Sequence, residues 1–145
     1  MKKEKEEVNV LDELNKGACM GVDAINFVID KVTDPKLKEE LTKQSREYNE
    51  IIEKISKIYP DYSKKEVHKT NTMNKVMTWY GIEMKTIADD TTSHLAEILM
   101  QGTNMGIIEG RKLLNHKECD KEVKKILEQF ISMQQKAVEK LKEFL

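Results

Sequence analysis

Gly102-Thr103-Asn104-Met105-Gly106-Ile107-Ile108-Glu109-Gly110 sets three glycines four residues apart within a helical pattern, and Gly17 and Gly21 repeat that interval near the start of the chain. A glycine inside a helix costs about 1 kcal/mol relative to alanine, so five of the six glycines sit where the backbone gains nothing from them locally. Residues i and i+4 share a helix face. Each set therefore cuts a groove free of side chains, and the sequence predicts close helix packing along both.

The rest of the chain supports an all-α fold. With two prolines in 145 residues and no hairpin signal, strands have little to build on, and the length suits one domain over 1–145. Met1–Glu7 is charged and expected to fray. A first helix is predicted from about Val8 to Val32, with Leu11, Leu14, Ala18, Gly21, Ile25, Val28 and Val32 facing inward. Thr33-Asp34-Pro35 ends it and starts the next, since Asp34 can cap and Pro35 fits a first helical turn. So tight a turn makes the two helices antiparallel neighbours.

Helix two carries Leu37, Leu41, Gln44, Tyr48, Ile51, Ile55 and Ile58 inward, and Pro60 stops it. Asp61 to about Thr70 reads as a polar crossing connection. An apolar register then runs through Met73, Met77, Tyr80, Met84 and Ile87, and continues in phase through Thr91, His94, Ile98, Gln101, Met105 and Ile108. One unbroken helix over that span would be about 65 Å long, against about 37 Å for the others. A break is therefore expected at Asp89-Asp90-Thr91, with an extra or bent helical segment at about 71–88. Asn115 ends the glycine-bearing helix. Asp120 caps the last, which turns Leu127, Phe130, Gln134, Ala137, Leu141 and Phe144 inward.

Composition excludes more than it names. Lys+Arg 25 against Asp+Glu 26 gives no field for nucleic acid or an anionic membrane. No stretch reaches the roughly 18 apolar residues of a membrane span. The opening lacks a signal peptide's apolar run, and Cys19 and Cys119 are solitary, so a reduced cytoplasm is the expected setting.

Few residues offer chemistry. His68 and His116 fit surface positions. His94 and Glu97 share a helix face and could act as a metal-ligand pair, or as a base with its orienting carboxylate. Glu109 falls on the glycine row, and Glu47 or Glu50 of helix two could add to a metal site. Met73, Met77, Trp79, Tyr80 and Met84 form a flexible apolar surface for a partner or ligand. Gln44, Gln101 and Gln134 interrupt apolar stripes and are expected to satisfy one another. Gly-rich phosphate loops, nucleophile elbows and H-E-x-x-H are absent from the sequence.

Four helices with a short first turn and a long crossing connection follow the ferritin-like plan. The stretch 92–108 (TSHLAEILMQGTNMGII) and Thr33-Asp34-Pro35-Lys36-Leu37-Lys38 resemble bacterial helical proteins of unknown function in the ferritin-like superfamily, near the DUF2383 and spore-coat-like groups. The resemblance implies an antiparallel four-helix bundle and, with it, a spore association. It does not extend to the di-iron centre. That centre uses Glu-x-x-His on two helices, and Lys65, Thr91 and Leu113 stand three residues before the histidines. The leading expectation is a bundle acting by association or a structural role, without cofactor, as a homo-oligomer with a dimer favoured. A metal-binding bundle handling iron or oxygen around His94, Glu97 and Glu109 is the alternative. A carrier of apolar ligands, with an enclosed cavity lined by methionines and aromatics, is the third.

Overall fold

The computed structural model describes residues 2–64, 83 and 90–145. Among these there is no strand, and four helices pack against one another: α1 (Lys2–Ile29), α2 (Pro35–Ile58), α3 (Thr92–His116) and α4 (Lys121–Lys142). A 3-10 turn, Tyr59–Asp61, continues α2 past its end. No described helix is long and apolar enough to cross a membrane. The expected segment at about 71–88, with Met73, Met77, Trp79, Tyr80 and Met84, lies outside the described residues, and so does His68.

The three-four spacing is what the core is made of. Leu11, Leu14, Ala18, Ile25 and Val28 of α1 are buried, as are Leu37, Leu41, Tyr48, Ile51 and Ile55 of α2 and Leu127, Phe130, Ala137 and Leu141 of α4. α1 packs mainly on α2 and α3 mainly on α4, whereas α1 and α3 touch far less. α1 begins six residues earlier than predicted, and Glu7 is buried rather than frayed. Its Oε2 accepts a hydrogen bond from the Asp120 N–H at 3.1 Å, which ties the first helix to the start of the last.

Helix ends follow local chemistry. Asp34 is the N-cap of α2, its carboxylate accepting from the backbone N–H of Lys36 at 2.8 Å and of Leu37 at 3.2 Å, with Pro35 behind it. Asp34→Ala is expected to cost about 1 kcal/mol. An unfolding entropy of about 2.1 cal/mol/K per residue converts that into a melting point about 3 °C lower, readable by circular dichroism. The break before α3 is present: Thr91 is extended (φ −62°, ψ 152°), and its hydroxyl accepts from the His94 N–H at 3.3 Å. Asp120 stands at the N-cap of α4 but makes no capping bond. Its carboxylate instead accepts from the Tyr62 hydroxyl at 3.2 Å, joining the chain after α2 to the α3–α4 turn.

The face of α3 departs from the predicted stripe. Leu95, Ala96, Ile98, Leu99, Gly102, Thr103 and Gly110 are buried, while Gln101 and Ile108 face outward. The cap at Thr91 restarts the helix. Its phase is then set by Leu95, Leu99 and the glycines.

Candidate functional site: a glycine-walled cleft

Both glycine sets face the same space. Gly17 and Gly21 of α1 and Gly102, Gly106 and Gly110 of α3 line a cleft of about 560 Å³ between the two helices. Its floor comes from the opposite pair: Tyr48 of α2, and Phe130 and Gln134 of α4. The walls are mainly apolar, and Glu13, Lys16, Glu109, Lys112, His116 and Lys117 edge the cleft. Lys16 pairs with Glu13 at 3.3 Å and Lys112 with Glu109 at 3.6 Å.

The glycines are notches for side chains, not for a second backbone. A Cβ built on Gly21 would lie 2.5 Å from two ring carbons of Tyr48, and one on Gly17 would lie 2.9 Å from Phe130 Cζ. A Cβ on Gly110 would meet Ile131 Cγ1 at 2.9 Å, and one on Gly106 would collide with the Gln134 amide. Side chains rising from α2 and α4 thus wedge between α1 and α3. This is the physical reason that, among the described residues, the expected backbone-to-backbone approach is replaced by a cleft.

Beneath the apolar walls lie buried polar groups. Thr103 Oγ1 donates to the Leu99 carbonyl at 2.7 Å, and Gln134 Nε2 donates to the Tyr48 hydroxyl at 3.3 Å. Burial raises the Tyr48 pKa above its ordinary value, so the phenol stays protonated. Tyr48 also packs against Phe130, with ring centroids 6.4 Å apart at 58°. Gln134, only 3% exposed, keeps its Oε1 buried without a hydrogen-bond partner.

The residues singled out for metal chemistry lie apart. His94 Nδ1 and Glu97 Oε2 are 3.8 Å apart on the first turns of α3, with the Glu97 side chain 54% exposed. Glu109 is fifteen residues further along the same helix, about 22 Å by helical rise, and its side chain is 63% exposed. Glu47 and Glu50 edge a different groove, beside Gln129, Ser132 and Lys136 of α4. Burial is the main cause that raises the Glu47 pKa, with Lys43 opposing it. Among the described residues no three His, Cys, Asp or Glu side chains are placed to hold one metal ion.

The glutamines do not satisfy one another. Gln44 donates to Glu40 on its own helix at 3.0 Å, Gln134 reaches Tyr48, and Gln101 faces water. Sequence reasoning noticed Tyr48 and Gln134 only as stripe positions. It had no means of pairing residues 86 apart in the chain. Compared with protein-family models, curated proteins and solved structures, the chain finds no match.

Proposed function

We propose that the protein is a binding protein on a ferritin-like four-helix scaffold, taking a small, largely apolar molecule in the cleft between α1 and α3. The observation that carries this is the cleft itself. Its volume of about 560 Å³ falls within the roughly 300–1,000 Å³ of small-molecule sites, and it has apolar walls over a few buried polar groups.

Register supports the scaffold reading. Gly17 and Gly21 sit at the levels of Phe130 and Tyr48, and Gly110 and Gly106 at those of Ile131 and Gln134. Tyr59, just past α2, donates to Asp12 Oδ1 at 2.9 Å near the start of α1. These pairings run in opposite order for α1 with α2, α1 with α3, and α3 with α4. Each such neighbour pair is then antiparallel, and α2 and α3 end at the same end of the bundle, as a ferritin-like crossing connection requires.

The proposal takes up the third expectation from the sequence, a carrier of apolar ligands, in place of the association role. The notches that were to admit a second backbone are filled from within by Tyr48, Phe130, Gln134 and Ile131, which leaves room on the cleft side for a small molecule. Isothermal titration of the purified protein with 2-methoxynaphthalene, a neutral apolar probe, tests it. Saturable one-to-one binding is expected, weakened at least tenfold (about 1.4 kcal/mol) by Met20→Trp, which fills the cleft from the α1 wall. Absence of saturable binding to the native protein would overturn the reading.

A further inference from the structure

We infer that the cleft takes linear amphiphiles in one orientation, with a carboxylate head at Lys117 and an unbranched alkyl tail running toward Met20 and Gly102. This rests on the binding role proposed above and specifies its ligand class.

The cleft is long. Its lining residues on α3 run from Gly102 to Lys117, about 22 Å by helical rise, and those on α1 from Asn9 to Gly21, about 18 Å. It is therefore a slot along the two helices, a shape suited to an extended chain.

Charge divides that slot into two unlike ends. Phe130 meets Gly17 on one wall and Gly110 on the other, and Gln134 meets Gly106 while its partner Tyr48 fills the notch at Gly21. In that register the early turns of α1 face the last turns of α3. Every charged lining residue falls on that side: Glu13 and Lys16 precede Gly17, and Glu109, Lys112 and Lys117 follow Gly106. At the other end the lining is Met20, Gly21, Tyr48, Gly102 and Thr103, without a charge.

The sign of the head follows from which charges are already paired. Glu13 holds Lys16 at 3.3 Å, and Glu109 holds Lys112 at 3.6 Å. Lys117 is half-buried at the cleft edge, and among the described residues no carboxylate pairs with it. A carboxylate head there would accept a charge-assisted hydrogen bond from the Lys117 ammonium. An ammonium head would meet like charge. Burial of the tail supplies affinity, and the charged end selects the head.

Three probes with one alkyl chain and different heads test this: decanoate, 1-decanol and decylammonium, the first and last ionised at neutral pH. Calorimetry on the native protein is expected to give about fivefold tighter binding of decanoate than of decylammonium, the range open to ion pairs at part-exposed positions. Lys117→Glu is expected to reverse that order and leave 1-decanol unchanged. The bond from the residue 117 backbone N–H to the Leu113 carbonyl, at 3.0 Å, needs no lysine side chain, so the variant keeps its helix end. Lys136→Glu, the same charge change in the groove beside Glu47, is expected to leave the order alone. Met20→Trp is expected to weaken all three probes by similar factors, because their tails share the uncharged end. A Lys117 that serves only the end of α3 would lower the melting point in Lys117→Glu without moving the preference. That result, equal binding of decanoate and decylammonium to the native protein, or a preference lost equally in Lys136→Glu overturns the inference while the cleft reading stands. Failure of 2-methoxynaphthalene to bind the native protein defeats the cleft reading itself.

Discussion

Tyr48→Ala is expected to lower the unfolding free energy by about 3–5 kcal/mol, the usual cost of removing a buried aromatic ring. At about 2.1 cal/mol/K per residue, a chain of 145 residues should then melt about 10–16 °C lower. The size of the effect comes from three tasks carried by one side chain. The ring fills the notch at Gly21, packs against Phe130, and places its hydroxyl to accept from Gln134 Nε2. Tyr48→Phe separates these tasks, since it keeps the ring and removes only the hydroxyl. It is expected to cost about 1–3 kcal/mol, because Gln134 Nε2 loses its acceptor in a buried place. Urea titration of both variants reads the difference. A Tyr48→Ala protein that melts within a few degrees of native would show that the ring is not a wedge between α1 and α3.

Why the sequence revealed three helix faces and missed the fourth follows from what periodicity can detect. In α1, α2 and α4 the inward positions are leucine, isoleucine, valine and phenylalanine, and their three-four spacing states the buried face directly. In α3 the inward face includes Gly102, Thr103, Gly106 and Gly110, which carry no hydrophobic signal, and the apolar Ile108 is 53% exposed. The pattern therefore pointed to a face one position away from the true one. The cleft was half legible. The glycine intervals marked where side chains had been removed, but nothing local told what would enter the space. Tyr48 reaches it from α2, Phe130 and Gln134 from α4, and those contacts depend on packing across long sequence separations. The same limit misdirected the search for chemistry. His94 and Glu97 are neighbours on one turn and easy to see, yet they sit on the exposed start of α3. Gln134, read as a mere interruption of a stripe, is the buried polar group that reaches across the bundle to Tyr48.

Gly21→Leu is the complementary change and tests the wedge from the other side. A Cβ at position 21 alone would come within 2.5 Å of Tyr48 ring carbons, and a leucine adds three more carbons in that direction. Neither neighbour can yield cheaply: the backbone of α1 is fixed by Leu14, Ala18, Ile25 and Val28, and the Tyr48 hydroxyl by its hydrogen bond from Gln134. Overpacking of this kind costs about 1–3 kcal/mol, and a leucine in place of glycine returns less than about 1 kcal/mol in helix propensity. The net expectation is a loss of about 1–2 kcal/mol in denaturant unfolding. The decisive measurement is the double variant. Leucine at 21 can occupy the volume vacated by the ring in Tyr48→Ala, so Gly21→Leu should be neutral or stabilising in that background. The coupling between the two sites should then exceed about 1 kcal/mol, within the range for residues sharing one cavity. Additive losses would mean that Gly21 and Tyr48 do not share space, and the account of how α1 and α3 are held apart would be wrong.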